Sequence, residues 1–272
     1  MAGLFSLPGY SPARVASLLT PLRGVRRQTD LSYGPLPRQR LDLYTNANLP
    51  PEAPAILFLH GGGWVSGARE DYGFVGVALA RLGALVAVAD YRLWPAAGFP
   101  AFVEDGALAT RWLATHAPER RLIVMGHSAG AFTAAAIALD PRWGARGHVQ
   151  GLVGISGPYD FGPEEVTPPE IFAGLPRVRA APPDVPLDGA PAMLLLHGGA
   201  DRTVGPYHSE ILAERARVAG VPVRHRVWPR LSHIDIMAGF TPASRWIGMG
   251  EPEVVAEIGH FLTSGAAHPP GG

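Results

Sequence analysis

Leu122-Ile123-Val124-Met125-Gly126-His127-Ser128-Ala129-Gly130-Ala131, continuing through the alanine-rich run to Leu139, is the stretch on which the reading of this chain turns. Four apolar residues of strand length run straight into Gly-His-Ser-Ala-Gly, and a helical segment follows at once. A serine on so sharp a strand-to-helix turn sits in a strained backbone conformation. The flanking glycines leave it room, and its hydroxyl projects outward. Unpaired N–H groups at the helix start, that of Ala129 first, point at the place where charge would develop on a carbonyl oxygen under attack. Ser128 is thus the candidate nucleophile and Ala129 a candidate oxyanion donor.

Working outward, His60-Gly61-Gly62-Gly63-Trp64 directly follows the buried run Ala55 to Leu59. Three glycines together allow main-chain N–H groups to turn inward with no Cβ in the way, which would complete an oxyanion hole with Ala129. A serine nucleophile also needs a base and a group to orient that base, on loops after later strands in the chain order Ser, Asp, His. Asp201 follows the strand Met193 to Leu196 through His197-Gly198-Gly199-Ala200, and His233 follows a strand ending near Trp228. Other histidines are worse placed. His116 and His260 fall within or beside helices, His225 lies inside a strand, and His268 is in the tail. His127 is the variable position of the turn, His60 braces the glycine loop, and His197 and His208 lie around the aspartate on the wrong loop. His148 has no visible role. Among the acids, Asp160 is a rival orienter because it follows the strand after Ser128. Asp90 precedes the serine and reads as a structural hydrogen-bonding residue, Glu104 and Asp105 read as acids of a helix's first turn, and Asp235 reads as loop structure.

Further short apolar runs at Ala84 to Ala89, Leu122 to Met125, Leu152 to Ile155, Met193 to Leu196 and Val221 to Val227 alternate with helix-period segments. One holds Phe102, Gly106, Ala109 and Leu113 on a single face. Alternation of this kind predicts right-handed βαβ units, a mostly parallel sheet with helices on both faces, and a site at the carboxyl ends of the strands. Leu41 to Tyr44 alternates, as an edge strand does. Residues 1–40 read as an N-terminal arm or cap segment with one helix at Ala13 to Leu19, and 265–272 as a disordered tail. Residues 158–190, with eight prolines and no clear period, read as an insertion or lid.

The 272 residues, 47% of them apolar and 17% charged, suffice for one domain with a large core. There is no cysteine, which excludes disulfides and a thiolate nucleophile, and no lysine, which excludes a Schiff base and a P-loop lysine. The net charge of zero gives no footprint for nucleic acid or an anionic membrane. The apolar segment Gly73 to Ala89 is interrupted by Arg81 and Gly83, so no membrane span is expected. The start of the chain lacks a basic region and an apolar run of signal-peptide length, so a cytoplasmic location is expected.

Together these residues resemble the α/β-hydrolases, and within them carboxylesterases similar to hormone-sensitive lipase and to small bacterial esterases. The likeness runs over roughly 40–264. It includes the Ser128 elbow, His60 to Trp64, Asp90-Tyr91-Arg92-Leu93, Phe99-Pro100-Ala101 followed by Glu104-Asp105, and Gly199-Ala200-Asp201 with Val204. The resemblance implies an α/β-hydrolase domain over 41–264 with a small cap. It implies oxyanion donors at Gly62 and Gly63, with Gly61 serving the turn. It further implies a serine carboxylesterase acting on a small-molecule ester through Ser128, Asp201 and His233, with no cofactor or metal. A homodimer stays open.

The chain departs from that pattern in a short insert after Gly157 and in a base loop reading Leu231-Ser232-His233-Ile234 rather than a glycine-led version. Ser156-Gly157-Pro158-Tyr159-Asp160 looks equally like kynurenine formamidases, whose oxyanion loop also begins His-Gly-Gly. That family often has tyrosine where Gly63 stands, so Gly63 and the Asp90 to Leu93 segment favour ester hydrolysis. Arylformamidase is the alternative enzyme. A non-catalytic small-molecule binder on the same fold is the alternative class, although such a binder would be expected to have lost a triad member. For the esterase, activity should fall as pH drops through about 6 to 7, where a histidine base takes up its proton.

Overall fold

A computed structural model describes residues 11–241 and 250–264. The expected tail, 265–272, lies outside the described residues. The helices are α1 (Pro12–Leu19), α2 (Gly73–Arg81), α3 (Ala101–His116), α4 (Ala129–Leu139), α5 (Tyr207–Val218), α6 (Asp235–Ala238) and α7 (Pro252–Ser264). The strands are β1 (Val25–Ser32), β2 (Arg40–Asn46), β3 (Ala55–Leu59), β4 (Leu85–Ala89), β5 (Leu122–His127), β6 (Gly151–Ile155), β7 (Asp160–Phe161), β8 (Val178–Arg179), β9 (Ala192–Gly198) and β10 (Val223–Trp228).

Eight strands form one sheet in the order β1-β2-β4-β3-β5-β6-β9-β10. β2 runs antiparallel to both β1 and β4, and every pairing from β4 to β10 is parallel. A parallel sheet must be covered on both faces, and the strands show why this one can be. In β3, Leu57 and Leu59 enter the core on one face with Phe102, Leu113 and Phe132, while Ile56 and Phe58 enter the core on the other with Phe74, Leu79, Val254 and Ile258. All five β3 residues have no exposed surface. α4 is buried along its whole length, as a helix apolar all round must be. Its alanines and Gly130 allow the approach, since a Cβ on Gly130 would lie 2.1 Å from the Leu59 carbonyl oxygen.

The structure differs from the sequence reading at β1, at Leu41 to Tyr44 and at Asp105. Within the expected arm, 1–40, the described residues hold α1 and β1, and β1 is the outermost strand. Leu41 to Tyr44, expected at the edge, therefore lies second, with Leu41 and Asp42 fully buried. Asp105, expected as a helix-terminal acid, is 1% exposed and grips the Arg92 guanidinium at 2.8–3.0 Å while accepting the Gln39 amide at 2.7 Å. It anchors the Asp90 to Leu93 segment to α3. Residues 158–190 carry the β7·β8 pair and send Phe161, Ile171, Phe172 and Val178 into the core, each 1% exposed.

Candidate active site

β5 ends in the sharp turn its sequence demands. Ser128 has φ 55° and ψ −123°, a positive φ that a non-glycine residue holds only at a cost of about 1–3 kcal/mol. Its N–H donates to Ile155 O at 2.9 Å, and its carbonyl accepts from Ala131 and Phe132, so the strained residue is pinned at both ends.

The carboxyl ends of β9 and β10 bring the partners to it. His233 Nε2 lies 2.9 Å from Ser128 Oγ, and His233 Nδ1 lies 2.7 Å from Asp201 Oδ2. Asp201 Oδ1 accepts the Thr203 and Val204 N–H groups, both at 2.9 Å. Burial by itself would raise the Asp201 carboxyl, but the His197 and His233 ring N–H groups and the Val204 N–H outweigh it and hold the carboxyl well below its usual range. Asp201 is thus an anion with its acceptor capacity taken up by donors, facing one edge of an imidazole whose other edge faces a hydroxyl. The rival, Asp160, points elsewhere: it pairs with Arg177 and Arg179 in the insertion. Asp235 shapes the base loop by accepting the Ser232 hydroxyl at 2.6 Å.

The glycine loop after β3 is fixed from behind. The Tyr91 hydroxyl donates to His60 O at 2.7 Å, the His60 ring stacks on Tyr91, and Asp90 takes the Arg69 main-chain N–H at 2.7 Å and its guanidinium at 2.5 Å. Gly61 N–H donates to the Tyr72 hydroxyl at 3.2 Å. The N–H groups of Gly62, Gly63 and Ala129 have no acceptor among the described residues. Gly62 has φ +123°, and a Cβ there would lie 2.2 Å from Ser66 O, so only glycine fits.

Sequence reasoning passed over two histidines that the fold brings to the site. His127 Nε2 lies 3.1 Å from the His233 main-chain oxygen, and the two rings stand 4.9 Å apart. His197 Nε2 lies 3.5 Å from Asp201 Oδ2. A Gly-x-Ser-x-Gly pattern carries no signal for the first of these, because His127 and His233 are neighbours only once β5 and the base loop are assembled.

Burial pushes His127 down to about 3 and His60 down to about 4, so both are neutral in the folded protein near pH 7. Unfolded, each would titrate near 6.5, so below that pH the unfolded chain binds more protons and the folded state loses stability. This contribution is complete above pH 6.5 and is lost as pH falls toward 4. The urea midpoint should therefore fall between pH 7 and 4.5, less so in His127→Gln. A midpoint constant over that range would contradict the buried neutral assignment.

Among the described residues no group of three or more His, Asp or Glu is arranged to hold a metal ion, and no helix is long and apolar enough to cross a membrane. Residues 56–173 match a family model described as alpha/beta hydrolase fold. Esterase LipC of Mycobacterium tuberculosis is 29% identical over 264 residues, covering 83% of this chain and 64% of that protein. A kynurenine formamidase of Danio rerio is 28% identical over 138 residues, 49% of this chain and 47% of that one. The chain spans about half to two thirds of the length of the curated relatives it matches along most of its own. A crystal structure of an esterase from the bacterial hormone-sensitive lipase family superposes with a TM-score of 0.74 at 25% identity, covering 92% of this chain and 88% of that one. Sheet order, strand-to-helix elbow and these matches together place the chain in the α/β-hydrolase fold, with esterases among the proteins it resembles.

Proposed function

We propose that the chain is a serine carboxylesterase acting on esters of small acyl groups. The observation that carries this reading is the continuous line from Ser128 Oγ through His233 to Asp201, with spacings of 2.9 and 2.7 Å, at the start of a helix. Ser128 attacks the ester carbonyl while His233 Nε2 takes its proton. Asp201 holds the imidazole with Nδ1 protonated and stabilises the cation that forms. The N–H groups of Gly62, Gly63 and Ala129 receive the oxyanion. Collapse releases the alcohol, which takes the proton back from His233 and leaves an acyl-serine. Water, deprotonated by the same histidine, then hydrolyses that ester and frees Ser128.

A short acyl group is supported by Trp64, which follows the glycine loop and is 2% exposed. Its ring packs on Phe102, Phe132, Phe161 and Phe172 at centroid distances of 5.0–5.9 Å, so apolar space on that side is already filled. The likeness to a kynurenine formamidase supports a second reading, formamide hydrolysis by the same residues. The purified protein should hydrolyse an aryl acetate at least tenfold faster, in kcat/KM, than N-formylkynurenine. The opposite preference would favour the arylformamidase.

Gly62→Ala tests the oxyanion role. Its Cβ would force the loop away from Ser66 and turn the N–H aside. We expect kcat to fall about 10²- to 10³-fold with KM little changed, as on loss of one oxyanion donor. Unchanged kcat in the folded variant would remove Gly62 from the site.

A further inference from the structure

We propose that His197 is a positioning residue for Asp201, held in one orientation and one tautomer by Ser209 and, behind it, His225. The inference rests on the esterase reading for its kinetic consequence but not for its geometry.

His197 ends inside β9 with no exposed surface. Its Nε2 lies 2.9 Å from Val204 O and 3.5 Å from Asp201 Oδ2. A carbonyl only accepts, so Nε2 carries the proton and turns the positive end of its N–H dipole toward both oxygens. Val204 N–H donates to Asp201 Oδ1 at 2.9 Å. The result is a closed ring, in which His197 holds the Val204 carbonyl, Val204 holds Asp201, and the His197 N–H faces the carboxylate. With Nε2 protonated, Nδ1 of the neutral ring must accept, and the Ser209 hydroxyl lies 2.9 Å from it. Ser209 Oγ in turn lies 3.1 Å from His225 Nε2 on the neighbouring strand β10. Pro206 O, at 2.9 Å, competes for the Ser209 proton, but His197 Nδ1 is buried and has no other donor among the described residues. Only donation to Nδ1 satisfies the whole chain.

This arrangement does two things for His233. It keeps the 201–204 turn from relaxing, and it draws on the carboxylate's negative charge, moderating its hold on the protonated base. The titratable groups around His197 are Asp201, His233 and His127 on the site side, and His208 and His225 on the α5 and β10 side. Removing the His197 N–H leaves Asp201 a stronger acceptor, so a protonated His233 should persist to higher pH.

The test uses His197→Phe, which keeps a ring and loses both nitrogens, and His197→Gln, whose amide can still donate to Val204 O. For His197→Phe we expect kcat per titrated serine to fall about tenfold with KM unchanged. The acid limb of kcat/KM should move up by about half a pH unit. The low-field proton resonance of the His233–Asp201 hydrogen bond should move downfield, and His197→Gln should recover most of each change. If His197→Phe does not fold, Ser209→Ala should give smaller shifts in the same directions. A residue that only fills space would lower the yield of folded protein and move neither the limb nor the resonance, and that result overturns the inference. A wild-type protein that cleaves neither ester nor formamide defeats the functional reading instead, and the resonance still decides this one.

Discussion

Ser128→Ala should lower kcat/KM for a short aryl ester by about 10⁴-fold or more while leaving the fold intact. The size follows from what is lost. With Oγ gone no acyl-enzyme can form, and only the oxyanion donors and substrate binding remain to act on attacking water. The fold should survive because the cost of the elbow lies in its backbone: φ 55° is as unfavourable for alanine as for serine. The contacts that pin the turn, Ser128 N–H to Ile155 O and Ser128 O to the first N–H groups of α4, are main-chain contacts. Among the described residues the side chain's one partner is His233. Melting temperature and circular dichroism should therefore match the wild type as turnover vanishes. Residual activity within tenfold of wild type would require another nucleophile.

Asp201→Asn should be nearly as damaging, by about 10⁴-fold in kcat near neutral pH. An asparagine amide fits the space, but with Thr203 and Val204 N–H groups both requiring an oxygen at Oδ1, the amide nitrogen falls at the Oδ2 position. It then presents a donor to His233 Nδ1. The imidazole answers by placing its proton on Nε2, where it faces Ser128 as a donor and cannot take the hydroxyl proton. The developing imidazolium also loses its counter-charge. Asp160→Asn supplies the contrast, because Asp160 serves Arg177 and Arg179 at the surface of the insertion. Its replacement should change kcat less than threefold, surface pairs of this kind contributing about 0–1 kcal/mol. Equal losses in the two variants would revive Asp160 as the orienter.

The comparison of these two aspartates shows how much of the site the sequence carried. Asp201 and His233 stood out as candidates because each follows a strand at its carboxyl end in the order an elbow serine requires, and the parallel sheet brings such ends together. The same rule located the glycine loop after β3. What it could not supply was contact between side chains far apart in sequence. His127 and His197 each look like spacer residues until β5, β9 and the base loop are adjacent, and Asp105 looks like a helix-terminal acid until Arg92 reaches it.

β1 was missed for a different reason. Val25-Arg26-Arg27-Gln28-Thr29-Asp30-Leu31-Ser32 is mostly exposed and interrupted by an irregularity between Gln28 and Leu31, with Asp30 at φ 61°. An edge strand of charged residues buries too little to show an apolar alternation. The insertion's role was hidden too, since Phe161 and Phe172 reach the Trp64 cluster from segments with no regular period.

The most direct measurement is reaction of the protein with a fluorophosphonate, followed by mass spectrometry of its peptides. One adduct is expected, on Ser128, formed slowly in His233→Ala and absent in Ser128→Ala. A folded wild-type protein that takes up no phosphonate, or carries it on another residue, would contradict the claim that Ser128 is an activated nucleophile.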